Sequence, residues 1–289
     1  MKREVRDLAA SVRARLLNRA RETKEEFDRI LVHYGIERLL YRLSRSSGAA
    51  NFLLKGAMLF TVWQIEDRRP TRDLDLLGFG SGDPEELTRI FRAICQVDVV
   101  PDGITFDPDS VHAGYIREQT AYGGVRVKLV GDIARARVPL QIDVGIGDVV
   151  IPGPEEIEYP TMLDDFPAPK LRAYPVYTVA AEKLESIVRL GIANTRMKDF
   201  YDLWVFAERL TLDDSTLAAA IKGTFERRAA ALPSDIPIAF SAEFSDDAIK
   251  QRQWDAFLKK NRLGSQKHLP LATVTRTIWS RFGHLMPHP

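Results

Sequence analysis

The sequence predicts an α+β protein of two lobes, a mixed-sheet core followed by a helical C-terminal lobe. Three observations lead there. Apolar residues recur at helical spacing through the first 46 positions and again from Thr178 onward. Between those stretches the texture changes to short runs rich in β-branched residues, broken by glycine and proline. The length, 289 residues, can bury a sizeable core and suits two lobes better than one. The expected divisions are a helical segment over 1–46, the core over 47–176 and the helical lobe over 177–289.

In the opening segment Phe27, Ile30, Leu31 and Tyr34 fall on one helical face, and Leu39, Leu40 and Leu43 continue the stripe past Gly35. The part before Glu22 is more polar and reads as a separate helix or an arm. Ser44 to Ala50 is small and polar, as a turn would be. Phe52 to Lys55 makes a short strand that Gly56 breaks, and Ala57 to Glu66 reads as an amphipathic helix. A charged, proline-containing loop leads to a strand over Asp73–Phe79. The next helix spans Pro84–Gln96, with proline at a favoured first-turn position. Further strands are expected at Ile104–Phe106, Tyr115–Ala121, Val125–Val130 and Pro139–Ile146, with turns at Gly123-Gly124 and Gly131-Asp132. Alternation of Val125, Val127 and Leu129 with Arg126 and Lys128 predicts one wet face. Residues 147–176 hold many of the prolines and read as a connecting loop with a short strand or two. A helix carrying Leu184 and Ile187 then ends at Gly191, and Asp199–Leu210 forms another. Helical patterns with breaks at Pro233, Pro237 and Pro270 complete the chain.

Hydrophobic residues at 45% and charged residues at 28% are ordinary for a soluble protein. The net charge of +1 hides basic ends. Lys2, Arg3, Arg6, Arg13, Arg15, Arg19 and Arg21 crowd the first, and Lys250, Lys259, Lys260, Lys267 and Arg281 mark the last. Such ends suit phosphate-rich partners or simply solvated helix faces. One cysteine, Cys95, excludes an internal disulfide and a cysteine-rich zinc site. Its apolar neighbours make it a core thiol. His33, His112, His268, His284 and His288 show no ligand spacing. No apolar run is long enough to span a bilayer and no leader pattern is present, so the expected location is the cytoplasm, without membrane attachment.

The chemistry concentrates in two places. Asp73 and Asp75, two apart on a strand, point to one face while Leu74 and Leu76 point to the other. Paired carboxylates repel unless a cation or a shared proton sits between them, and Mg²⁺ is the usual occupant. The Gly56 turn, one helix earlier, offers backbone N–H groups to a phosphate. Asp143 lies in the apolar run Leu140-Gln141-Ile142-Asp143-Val144. It either joins the pair, giving three carboxylates able to hold two divalent ions, or caps a turn with Gly145. In the second place, Lys183 sits at the edge of an apolar helix face with no charged partner at helical spacing. It is either a surface lysine or the partner of a group elsewhere. Asp199 and Asp202 share a helix face, and Asp202 either pins two helices by pairing with Arg196, Arg189 or Lys183 or serves a site. Arg69 and Arg72 are loop arginines, solvated or phosphate-facing.

These residues in this order resemble a known family. Gly56, then Arg69-Pro70-Thr71-Arg72-Asp73-Leu74-Asp75, Ile142-Asp143-Val144, Ala181-Glu182-Lys183-Leu184 and Arg196-Met197-Lys198-Asp199-Phe200-Tyr201-Asp202-Leu203 look like the AbiEii toxins. That group of abortive-infection toxin–antitoxin proteins includes the mycobacterial MenT toxins. The resemblance covers about residues 50–210. It implies a polymerase β-like nucleotidyltransferase core with a helical lobe, transfer of a nucleotide from an NTP to the 3′ end of tRNA, and a cognate antitoxin. Carried over, Gly56 and Ala57 would contact phosphate, and Asp73, Asp75 and Asp143 would hold Mg²⁺ or Mn²⁺. Lys183 would hold the triphosphate, and Asp199 or Asp202 would be the essential acid; Arg196, on its charge alone, suits the same phosphates. Ala57 departs from the family's usual glycine or serine, so only its backbone N–H is left for phosphate. Transfer to a small molecule or a protein, and a non-catalytic nucleotide-binding role, are the alternative functions.

Overall fold

Asp7 opens the first helix, α1 (Leu8–Thr23), by accepting the Ala10 N–H on its carboxylate, a bond that satisfies one of the helix's unpaired donors. Helix α2 (Phe27–Arg45) follows after a left-handed Lys24. The structure, a computed structural model, describes residues 7–65, 69–116, 124–263 and 269–286. The basic residues Lys2, Arg3, Arg6 and Lys267, and His268 and His288, lie outside the described residues, as does Glu66 at the end of its expected helix.

The chain divides into two units. One takes in the chain to Val62, Thr71–Gly147 and Glu156–Ala173; the other takes in Trp63–Pro70, Asp148–Glu155 and the chain from Tyr174. The first is built on a mixed sheet of seven strands among the described residues. These are β1 (Phe52–Lys55), β2 (Asp73–Gly78), β3 (Thr105–Tyr115), β4 (Gly124–Ile133), β5 (Ala136–Ile146), β6 (Glu155–Glu158) and β7 (Lys170–Ala173), in the order β3-β4-β5-β2-β1-β7-β6. At its centre β2 runs parallel to β5 and antiparallel to β1.

The two faces of this sheet differ sharply. Leu54, Leu76, Val144 and Val125 form one row across four strands, with Leu74, Ile142 and Val127 in the next, and all are buried. Helix α2 seats on this face through Gly35, where a Cβ would come 3.1 Å from Leu140 Cδ2. Helix α4 (Pro84–Cys95) adds Phe91, edge-on to Phe52. Cys95 is buried there as expected, and burial pushes its thiol up to about 11, so it is an inert core group. The opposite face carries Asp73, Asp75, Gln141, Asp143, Arg126 and Lys128. These alternate with the buried residues as the two-residue period requires.

Three local expectations are corrected. The helix expected over Ala57–Glu66 is only a 3-10 turn over Gly56–Met58 and one α-helical turn, α3 (Leu59–Val62). Gln64, at φ 55°, cannot continue a helix. The turn expected at Gly131-Asp132 lies instead at Ala134-Arg135, both with positive φ, the geometry that matches strand twist in a tight hairpin. Gly131 stays inside β4 because a Cβ there would sit 2.8 Å from Ile104 Cδ1. The separate strands expected at Ile104–Phe106 and Tyr115–Ala121 merge into β3, which ends at Tyr115; residues 117–121 lie outside the described residues, as does Gly123.

The second unit is helical. Helix α5 (Val176–Leu190) ends at Gly191, φ 50°, and α6 (Met197–Arg209), α7 (Asp214–Arg227), α8 (Ala242–Ser245), α9 (Ala248–Lys260) and α10 (Leu271–Phe282) follow. Leu184, Ile187, Phe200, Leu203, Phe206, Phe244, Trp254 and Ile278 are buried in its core. Trp63 stands edge-on to Phe206 with ring centroids 5.7 Å apart, tying its segment to this unit. Arg228 binds Asp148 and Glu185, fastening the 148–155 stretch to the same helices. Lys250, one of the basic terminal residues, is buried and donates to the Asn194 carbonyl, so part of that basic charge serves the fold.

Candidate active site

On β2 the pattern runs exposed Asp73, buried Leu74, half-buried Asp75, buried Leu76. The apolar neighbours fix the strand, and the pleat places both carboxylates on the open face. Strand β5 lies alongside in register, with Asp75 opposite Asp143 and Asp73 opposite Gln141. Gln141 donates from Nε2 to Asp73 Oδ1 at 3.1 Å. Lys55 is the register partner of Asp75 on the other side.

The turn after β1 closes directly on this pair. Gly56 has φ 75°, and a Cβ at that position would stand 2.2 Å from Asp75 Oδ2 and 2.8 Å from Asp75 Cβ. Both the backbone conformation and the space therefore demand glycine. Ala57 is buried within the turn. Thr71 hydrogen-bonds locally to the Asp73 carbonyl, and His33 is engaged with the Thr71 carbonyl at 2.6 Å.

Asp143 has a partner that the sequence reading did not foresee. Arg126 on β4 donates through Nε to Asp143 Oδ1 at 2.8 Å and through Nη2 to Oδ2 at 2.7 Å, using both carboxylate oxygens. The three aspartates thus share one face in backbone register, but the third carboxylate is engaged by a guanidinium. Accordingly, among the described residues no group of three or more His, Cys, Asp or Glu side chains is placed to hold a metal ion together. The donors are all oxygens, which suits Mg²⁺ or Mn²⁺, and Mg²⁺ commonly needs only one or two carboxylates with substrate phosphates and water completing its shell. Asp73 and Asp75 fit that requirement.

The helical unit holds the second cluster. Lys183 on α5 donates from Nζ to Asp199 Oδ1 at 2.9 Å and to Asp202 Oδ2 at 2.8 Å, both on α6. Arg69 binds Asp202 through Nε and Nη2 at 3.0 and 3.1 Å, and Arg196 Nε meets Asp199 Oδ2 at 2.6 Å. Two carboxylates therefore organise three cations. Both aspartates are buried, while the Arg196 side chain remains 40% exposed. Burial by itself would drive the Lys183 pKa down, yet Asp199 and Asp202 outweigh it and raise the value. Burial would raise Asp199, but Lys183 and then Arg196 hold its carboxyl well below the usual range.

The sequence matches the family described as nucleotidyl transferase AbiEii toxin, type IV toxin–antitoxin system, over residues 38–276. The chain belongs to the AbiEii family. Family membership makes it a toxin-type protein of the nucleotidyltransferase fold and implies an antitoxin partner. Among curated proteins no relative matches. Two crystal structures from Helicobacter pylori are similar at 15% identity. One, described as a candidate nucleotidyltransferase, has a TM-score of 0.47 over 87% of this chain and 95% of its own. The other, JHP933, has a TM-score of 0.45 over 86% and 88%. No helix among the described residues is long and apolar enough to cross a membrane.

The AbiEii match spans every candidate site residue, Gly56 to Asp202. The structure adds Arg126, Gln141 and Arg69. Arg69 stood as either solvated or phosphate-facing, and its pairing with Asp202 across 133 positions has no local signal. Arg126 had one, since its alternation with buried valines put it on the open face. Its partner was hidden by the misplaced turn, because a hairpin centred on Gly131-Asp132 would set Arg126 opposite Arg137 instead of Asp143.

Proposed function

We propose that this AbiEii protein transfers a nucleotide from an NTP to RNA, with the 3′ end of tRNA as acceptor, in the cytoplasm and with Mg²⁺ or Mn²⁺ bound. The observation that carries this reading is the Asp73/Asp75 pair on β2 with the Gly56 turn closed against Asp75. A carboxylate pair beside a glycine turn is what binding of a metal–triphosphate requires. When bound, the ion would lower the pKa of the attacking hydroxyl and neutralise charge on the triphosphate and departing pyrophosphate.

The chain's own residues divide the remaining work. Asp73 and Asp75 hold the ion, and Gln141 keeps the Asp73 carboxylate oriented. Gly56 and Ala57 present backbone N–H groups to phosphate. In the helical unit Lys183 and Arg196 are the cations assigned to phosphate. Asp199 and Asp202 fix the positions of Lys183, Arg196 and Arg69, and keep Lys183 protonated. With its pKa held low, Asp199 is a poor proton acceptor, so its essential role is that of a positioning residue. Preplaced charge of this kind is the main contribution a protein can make to phosphoryl transfer. A cognate antitoxin restrains the activity.

The test is incubation with each α-labelled NTP, Mg²⁺ and total RNA. Label is expected in the tRNA band with wild type, and none with Asp73→Asn. Label in protein or in a small molecule would transfer the reading to that acceptor. Mg²⁺-dependent NTP binding without pyrophosphate release would leave a nucleotide-binding protein in its place.

A further inference from the structure

The fork between Arg126 and Asp143 crosses adjacent strands of the open sheet face, next to Asp75. Its base is rigid: Val125 and Val127, the neighbours of Arg126 on β4, are buried, and so are Ile142 and Val144 around Asp143. Its tip is not. The two side chains are 36% and 22% exposed, so the guanidinium can part from the carboxylate into water without the large penalty of stranding a buried charge. Across the sheet Lys55, Asp75, Asp143 and Arg126 stand in one row, in register from β1 to β4. The two inner positions are negative and the two outer ones positive. Asp75 and Asp143 face each other on neighbouring strands, and without a cation between them their repulsion must be relieved from the flanks.

We propose that Arg126 competes with a divalent cation for Asp143, and so sets the metal affinity of the carboxylate face. The inference rests on the reading of Asp73 and Asp75 as metal ligands. With no cation bound, Arg126 occupies both oxygens of Asp143. When a cation binds, Asp143 turns to it as a third carboxylate, and Arg126 is released on the same face. There its planar fork suits a phosphate oxygen pair, for which arginine is preferred over lysine. Arg126 is therefore a positioning residue with two settings, carboxylate-bound and phosphate-available. A fixed counter-ion would behave differently. It would stabilise the hairpin in every state, and its removal would not strengthen metal binding.

Mn²⁺ titration followed by the EPR signal of the free ion distinguishes these. The proteins are wild type, Arg126→Gln, Arg126→Lys, Asp143→Asn, Asp73→Asn and the double variant Arg126→Gln/Asp143→Asn. Removing a charge-assisted fork should tighten Mn²⁺ binding about tenfold in Arg126→Gln. Arg126→Lys, which cannot engage both oxygens in the plane, should fall between. Asp143→Asn should weaken binding, and the double variant should bind like Asp143→Asn alone, because the competition has lost its object. The same Arg126→Gln protein should show a higher KM for NTP. Unchanged or weaker Mn²⁺ binding in Arg126→Gln, or tightening that persists in the double variant, would overturn the inference. If Arg126→Gln does not fold, the Arg126→Lys comparison decides by the same criterion. Failure of the underlying reading is separate: wild type and Asp73→Asn would then bind Mn²⁺ identically.

Discussion

The carboxylate face of the sheet and the buried cluster of α5 and α6 use the same residue types to opposite ends. On the sheet the acidic groups stand exposed or half-buried, and the guanidinium that holds Asp143 is itself partly exposed. In the helices two buried carboxylates are each held by two cations, and every member is satisfied within the protein. The first arrangement keeps its charges within reach of water and of a ligand. The second fixes charge in place. Burial decides which is which. A buried carboxylate without its cations would cost several kcal/mol, whereas one near water tolerates an incomplete set of partners.

That contrast orders the effects of substitution. The largest loss of stability is expected from Asp202→Ala, which removes one of the two carboxylates that hold Lys183 and breaks the fork to Arg69 in a nearly dry site. Urea denaturation should show a loss of about 3–5 kcal/mol, and a loss below about 1 kcal/mol would mean that the cluster is solvated after all. Gly56→Ala comes next. A side chain at φ 75° that also collides with Asp75 should cost about 1–3 kcal/mol and displace the carboxylate, so that metal binding falls along with the melting temperature. If Gly56→Ala melted like wild type, the close approach of the turn to Asp75 would be refuted. Asp199 gives a pH signature. Its folded pKa lies below the unfolded value of about 3.9, so its stabilisation is present above that pH and is lost as pH falls towards the folded value. Asp199→Asn should therefore be less stable than wild type at neutral pH and show a flatter decline below about pH 4; parallel acid limbs would contradict the ion pairing. The smallest stability effect belongs to Asp73→Asn, within about 0.5 kcal/mol of wild type, although nucleotide transfer should disappear.

How much of this was legible in the sequence follows the range of the interactions. The glycine break at Gly56 bounded β1 from Phe52 to Lys55, and the two-residue period set Asp73 and Asp75 on one face, because those signals lie within a few residues. The pairing of β5 beside β2 was also readable, from an aspartate in an otherwise apolar run. Hairpin geometry was not. The glycine at 131 looked like the turn, yet it is glycine because Ile104 presses on it, and the true turn uses Ala134 and Arg135 in left-handed conformations that neither residue favours. That displacement concealed the partner of Asp143. Arg69 was hidden by distance along the chain, as a loop arginine carries no mark of the helix it will meet.

The most direct test of the difference between the two regions is Mn²⁺ binding, measured by water proton relaxation, in Asp75→Asn and Asp202→Asn beside wild type. The account predicts that Asp75→Asn loses Mn²⁺ binding and keeps its melting temperature, while Asp202→Asn keeps Mn²⁺ binding and melts earlier. Mn²⁺ binding that survives Asp75→Asn, or is lost in a still-folded Asp202→Asn, would contradict it.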